Sequence, residues 1–300
     1  MIPELAKAQG CLAGLCVGDA LGAQFEFMHP FSLQLLDDRE LGMMCGSNVF
    51  HTIPGQITDD SEMALCLVNS LLHKNTYDRR HTKELYIEWM KSAPIDIGIT
   101  TRLGLSGNIP NPKSESNGAL MRIAPMGIYG TMLSPSTLQL HCAEDARITH
   151  DNKKVEDCNF MFAYAISLCI KENITNHRII ELTRGAGQDL DIDVSLLDMS
   201  AVRPDDYYSC MGHVDIAFRN AFYHLRLGSS FEHAILDTIR RGGDTDTNAA
   251  ICGALMGAYY GIGSIPVKWL TPVLACNPAR PLKYKTNNIL SLAKKLLDIR

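Results

Sequence analysis

The sequence predicts a mostly helical protein, on three observations. Apolar residues recur at helical spacing in eleven segments, a single stretch resembles a strand, and Gly and Ala crowd two of the helical segments. In chain order the predicted helices span 4–21, 60–73, 81–92, 119–130, 134–147, 155–171, 175–187, 212–227, 231–241, 248–260 and 284–298. The clearest opens after GQITDD, with Met63, Ala64, Leu67, Leu71 and Leu72 forming its apolar stripe. In 119–130, Arg122 stands among Leu120, Met121, Ile123 and Ala124 and reads as a structural ion-pair partner. SNVFHTI at 47–53 is the strand-like stretch. Turns are expected at HPF (29–31), NIPNPK (108–113), VRPDD (202–206) and CNPARP (276–281). No Ser- or Gly-rich linker, repeat or low-complexity tract divides the chain, so 1–300 is expected to be a single domain.

The glycines predict how two helices meet. In an exposed helix each Gly costs about 0.5–1 kcal/mol relative to Ala. Their repetition in GCLAGLCVGDALGA and AAICGALMGAYYG therefore implies close backbone approach. These segments are expected to cross at the centre, bringing Asp19 and Glu26 near Asp244 and Asp246.

Composition narrows the function. Hydrophobic residues at 46%, charged residues at 20% and a mean hydropathy of −0.02 describe a soluble globular protein. A net charge of −5 without a Lys or Arg run argues against a nucleic-acid partner. The ten cysteines lack any CxxC and read as buried thiols of a reducing compartment. MIPELAKAQG has no signal-peptide core, and Asp19 interrupts the first apolar run. The expected location is cytoplasmic, without membrane contact, as a monomer.

Two acidic clusters carry the chemistry. Asp244 and Asp246 alternate with Thr245 and Thr247 ahead of one helix, and Thr58, Asp59 and Asp60 precede another. For the second cluster a bland reading stands beside the functional one: Asp59 as N-cap with Glu62 three residues on resembles a capping box. That leaves Asp60 and the matching cluster at the other end unexplained. Together the clusters form a cage for hard divalent cations, which prefer carboxylate and hydroxyl oxygens. About two ions, ~3.5–4 Å apart, suit such a cage. Rival metal motifs fail on spacing. Asp244, Asp246 and Asn248, like Asp189, Asp191 and Asp193, begin as an EF-hand does. Position six is then Ala249 or Val194 instead of Gly, and position twelve is Leu255 or Ser200 instead of Glu. The 189–193 run reads as an exposed strand or loop. A DDxxD isoprenyl-synthase motif is absent from Asp59-Asp60-Ser61-Glu62-Met63.

GDALGAQFEFM (18–28), TDDSEMAL (58–65), APIDIG (93–98), SNGALMRIAP (116–125), THDN (149–152) and RRGGDTDTNAAICGALMGAYYG (240–261) together resemble the ADP-ribosylglycohydrolase family. The resemblance implies an all-α, compact orthogonal multi-helix bundle with a central binuclear Mg²⁺ or Mn²⁺ site. It implies metal ligands at Thr58, Asp59, Asp60, Asp244, Asp246 and Thr247, and catalytic roles for Glu26, Asp60 and Asp246. Ser116, Asn117 and Gly118 match a loop holding ADP-ribose, and His150 matches a residue lining the same cleft. Asp96 resembles the branch that cleaves ADP-ribosyl-arginine, its carboxylate holding the departing guanidinium.

Other readings stay open beside these. Glu26 is otherwise a solvated loop residue, Asp19 a satisfier of backbone amides, and His150 a cap at a helix end. Arg240 and Arg241 are expected to pair with local carboxylates. The expected activity is release of ADP-ribose from an ADP-ribosylated protein, through the arginine-linked bond. The alternatives are O-linked ADP-ribose, a non-catalytic ADP-ribose-binding or crystallin-like relative, and a phosphoester or nucleotide hydrolase. The tail beyond 262, with Trp269 and NNILSLAKKLLDI, is expected only to pack.

Overall fold

The computed structural model describes residues 3–299 and is all-helical. Its helices are α1 (Pro3–Gly22), α2 (Pro30–Gln34), α3 (Asp38–Leu41), α4 (Asp59–Lys74), α5 (Arg79–Lys91), α6 (Ile99–Leu105), α7 (Ala124–Tyr129) and α8 (Pro135–Ala146). They continue with α9 (Lys153–Lys171), α10 (Asn176–Asp189), α11 (Ser195–Met199), α12 (Val214–Leu227), α13 (Phe231–Arg240), α14 (Thr245–Tyr260), α15 (Val267–Ala275) and α16 (Ile289–Leu297). Among the described residues there is no strand, and one isolated bridge joins Ser116 to His213. No described helix is long and apolar enough to cross a membrane.

The expected crossing is at the centre. α1 and α14 run antiparallel, with Gly10 on Gly257, Gly14 on Gly253, and Gly18 on Ala249. A Cβ on Gly14 would lie 2.1 Å from the carbonyl oxygen of Gly253, so no side chain fits there. Both helices are buried on nearly every face, as expected of helices apolar all round. α9, α12 and α13 pack around α14. Gly22 on Thr245 is the last rung of this contact, and there the chain turns into the Glu26 loop.

Several expectations are corrected. SNVFHTI is a turn: Ser47 Oγ accepts from the amides of Val49 and Phe50, and the Thr52 amide closes on the Ser47 carbonyl. Local hydroxyl bonding of this kind competes with strand pairing. The segment 119–130 is no continuous helix, because Pro125 starts a new one at Ala124, after a 3₁₀ turn at Asn117–Ala119. HPF does not merely turn: His29 caps α2 and Pro30 opens it. The short helices α3, α6 and α11 and the Pro272-bearing α15 were not expected; they offer too few turns for a periodic signal. The 189–193 run contains the end of α10 and a loop, not a strand. All ten cysteines are free thiols; eight are buried and Cys45 and Cys210 are exposed.

Candidate active site

The two acidic clusters start α14 and α4, and neither does what a helix start ordinarily asks of it. Asp244 occupies the N-cap of α14 and Thr58 that of α4, yet neither side chain accepts a capping bond. Asp59 is therefore inside the helix, and Glu62 turns away to Trp89 Nε1 (2.7 Å) and Arg280. The capping-box alternative for Asp59 does not hold.

The caps come instead from α1 and the loop after it. Glu26 Oε2 accepts from the Thr245 amide at 2.8 Å and the Asp246 amide at 3.2 Å, capping α14 from outside. Asp19 accepts from the Thr58 amide at 2.9 Å, the Thr58 hydroxyl at 2.8 Å and the Ser61 amide at 3.1 Å, doing the same for α4. So Asp19 satisfies amides, but those of the Thr58 cluster. With the helix-start amides capped from outside, the side chains of Asp59, Asp60, Asp244 and Asp246 are free to converge. Glu26, Asp244 and Asp246 place carboxylate oxygens within 4.8 Å of one another, all three residues buried.

Such convergence is electrostatically unfavourable without a cation. Burial, then the Asp244 carboxylate, pushes Glu26 up to about 8. Burial alone takes Asp19 to about 6 against the bonds it accepts. Asp60 is held well above its ordinary range by burial, then by Asp19, Asp59 and Asp244. Asp59 is raised by burial and by Asp96, Asp19 and Asp244. Asp246 is raised by burial and by Glu26, Asp60 and Asp244. Asp60 Oδ1 is fully buried and makes no hydrogen bond. A buried carboxylate oxygen without a partner, among like charges, fits the coordination sphere of a hard cation. The residues present therefore suit a divalent metal. Thr247 lies in contact with the Asp60 carboxylate, so both clusters share one floor.

Glu26, Asp59, Asp244, Asp246 and Thr247 line a cleft whose walls include Asp96, Ser116, Asn117 and Gly118. Thr58 and Asp60 lie beneath that floor, fully buried. Asn117 Nδ2 donates to Asp244 Oδ2 at 2.7 Å, tying the 116–118 turn to the acidic floor. Asp96 is partly buried, and its Oδ1 accepts from the amide of Ile97 at 2.8 Å. His150, expected on the cleft wall, stands one layer behind it and is fully buried. Its Nε2 meets Ser116 Oγ at 2.8 Å and its Nδ1 meets Thr149 Oγ1 at 2.7 Å. Burial and the nearby Arg122 push His150 down to about 3, so its ring stays neutral. A Cβ on Gly118 would sit 2.9 Å from Thr101 Oγ1 and 3.1 Å from that ring, so the turn leaves little room for a side chain.

One contributor escaped the sequence. Arg280, from the tail expected only to pack, grips Glu62 bidentately at 2.8 and 2.7 Å and donates to the carbonyls of Ser92 and Ala93. That braces the first turn of α4 and the start of the loop that carries Asp96. Trp269 is buried and donates to Gly42 O, as packing requires.

A family model described as ADP-ribosylglycohydrolase matches residues 2–300. The chain is 31% identical to ADP-ribosyl-[dinitrogen reductase] glycohydrolase of Rhodospirillum rubrum, over 96% of each chain. It is 27% identical to ADP-ribosylarginine hydrolase Tri1 of Serratia proteamaculans, over 90% of this chain and 76% of the relative. It is 25% identical to human ADP-ribosylhydrolase ARH3, over 89% and 88%. A solved structure titled ADP-ribosylglycohydrolase-related protein complex superimposes with a TM-score of 0.80 at 26% identity, covering 100% of this chain and 99% of that one. Matches of this length, on a fold organised around the same sequence motifs, settle the kinship: the chain belongs to the ADP-ribosylglycohydrolase family.

Proposed function

We propose that the protein removes mono-ADP-ribose from arginine side chains of modified proteins, using two Mg²⁺ or Mn²⁺ ions. The observation that carries this reading is the buried convergence of carboxylates from two helix starts, with Asp60 Oδ1 unpartnered, on the floor of a cleft. Thr58, Asp59, Asp60, Asp244, Asp246 and Thr247 would hold the ions, which supply Lewis acidity and a fixed seat for ribose hydroxyls. Glu26 and the acidic floor stabilise positive charge as the glycosidic bond breaks through an oxocarbenium-like transition state. Glu26 lines the cleft and is placed for proton transfer as well. The amides that follow Ser116–Asn117 offer donors to the diphosphate, and His150 orients the Ser116 hydroxyl from behind.

Asp96 supports the choice of arginine. A carboxylate on the cleft wall binds a guanidinium through paired hydrogen bonds and offers a serine leaving group much less. The decisive measurement is release of free ADP-ribose from arginine-linked and serine-linked mono-ADP-ribosyl peptides, with Mg²⁺, Mn²⁺ or EDTA, for wild type and Asp246→Ala. Metal-dependent release from the arginine peptide, lost in the variant, is the expected result. Release from the serine peptide alone would move the substrate to the O-linked class. Binding of ADP-ribose without release would make the protein a reader, and phosphate release a phosphoesterase.

A further inference from the structure

Glu26 is followed by a residue whose backbone and side chain pull in different directions. Phe27 has φ of +63°, in the left-handed region that a bulky residue rarely adopts. Two backbone bonds hold it there: its amide donates to Gly243 O at 2.9 Å, and the Gly243 amide donates to Met28 O at 3.1 Å. The facing residues, Gly242 and Gly243, also have positive φ, so the clasp between the Glu26 loop and the start of α14 is built from unusual backbone on both sides. Gly or Asn at position 27 would meet the conformation with less strain. The Phe ring does not offset that strain by burial, being 53% exposed with one edge-on neighbour, Phe50, at 6.3 Å. It lines the cleft. Strained residues of this kind persist where a ligand is gripped.

Which part of the ligand the ring meets follows from size. A modified protein is too large to enter the cleft, so on the arginine reading its side chain reaches the acidic floor from the mouth. Phe27 directly follows Glu26 and is far more exposed than the floor carboxylates. Asp96 lines the same cleft. A guanidinium binds a carboxylate through its edge and an aromatic ring through its face. We infer that Phe27 is an acceptor-side specificity residue, its ring stacking on the departing arginine guanidinium while Asp96 binds the edge. This rests on the arginine reading above.

The test compares wild type, Phe27→Gly, Phe27→Tyr and the surface control Phe31→Ser on arginine-linked and serine-linked peptides, with ADP-ribose affinity measured by calorimetry. Phe27→Gly is expected to raise KM for the arginine peptide about fivefold, with little change in kcat or in ADP-ribose affinity. Phe27→Tyr restores KM, and Phe31→Ser, 67% exposed and outside the cleft, behaves as wild type. An unchanged KM in Phe27→Gly overturns the role while leaving the arginine reading intact. A parallel loss of ADP-ribose affinity reassigns the ring to ADP-ribose and also overturns it. Wild-type cleavage of the serine peptide alone overturns the arginine reading, and the guanidinium assignment with it.

Discussion

Arg122 is a heavily bonded side chain away from the acidic floor. It is fully buried, pairs with Asp145 Oδ2 at 3.0 Å, donates to Asp145 O and Thr149 Oγ1, and lies 4.6 Å from the centroid of the Tyr86 ring. Tyr86 completes the group by donating to the second Asp145 oxygen at 2.9 Å. A buried pair is a weak source of net stability, but removing one member leaves a charge with no compensation. Arg122→Met is therefore expected to cost about 3–5 kcal/mol, read as a lowered urea midpoint. Arg122→Met combined with Asp145→Leu should recover a large part of that loss. A loss under about 1 kcal/mol in the single variant would mean Asp145 finds another partner. The sequence showed that Arg122 needs a counter-charge, because apolar residues surround it. It did not show which one, since Arg122 lies in the turn before α7 and Asp145 in α8, with no spacing rule to link them. Arg241 pairs with Asp237, one turn earlier in α13, as expected of a local carboxylate, whereas Arg240 pairs with Asp38, brought in from the far end of the chain.

At the scale of the element, the α1–α14 crossing was the most legible part of the fold. Gly at four-residue intervals in both segments marks facing helix surfaces with no room for side chains, and the two Gly ladders interlock antiparallel. Gly14→Ala should destabilise by about 3 kcal/mol, because the new methyl meets backbone and not a yielding side chain. The measurement is a thermal or urea unfolding curve. Gly185→Ala, a helical position with open space around it, serves as the control and should leave stability equal or slightly higher. Equal stability of Gly14→Ala would mean the helices can slide apart without loss, against the packing described. The elements that were missed are those whose existence depends on tertiary support: α6 and α11 span fewer than two full turns, and α15 carries Pro272. The strand reading of 47–53 failed for a local reason, since Ser47 and Thr52 close that stretch by hydrogen bonds no periodicity count can register.

At the scale of the whole molecule, the fold stores negative charge that only a bound cation or a bound proton relieves. The sequence revealed the clusters and their separation along the chain. What it could not reveal is that Glu26 and Asp19 take over the helix caps and so release the Asp side chains, a geometry set by the α1–α14 crossing. The consequence is a pH dependence of defined sign. In the unfolded chain these carboxylates titrate near about 4. In the folded, metal-free chain Asp19 is raised to about 6 and Glu26 to about 8, with Asp59, Asp60 and Asp246 also raised. Between about pH 4 and about pH 8 the folded state then holds more protons than the unfolded one, so metal-free stability falls as pH rises. A divalent ion displaces those protons and stabilises the folded state by RT ln(1 + c/Kd), where c is the free ion concentration and Kd tightens as the protons leave. The difference in Tm between Mn²⁺- or Mg²⁺-loaded and EDTA-treated protein should therefore widen steadily from about pH 5 to about pH 8. Asp246→Asn should flatten that widening, because it removes one of the charges that both raises its neighbours and recruits the ion. A Tm difference that stays constant with pH would mean the ion binds without displacing protons, and no Tm difference at any pH would remove the metal from the site.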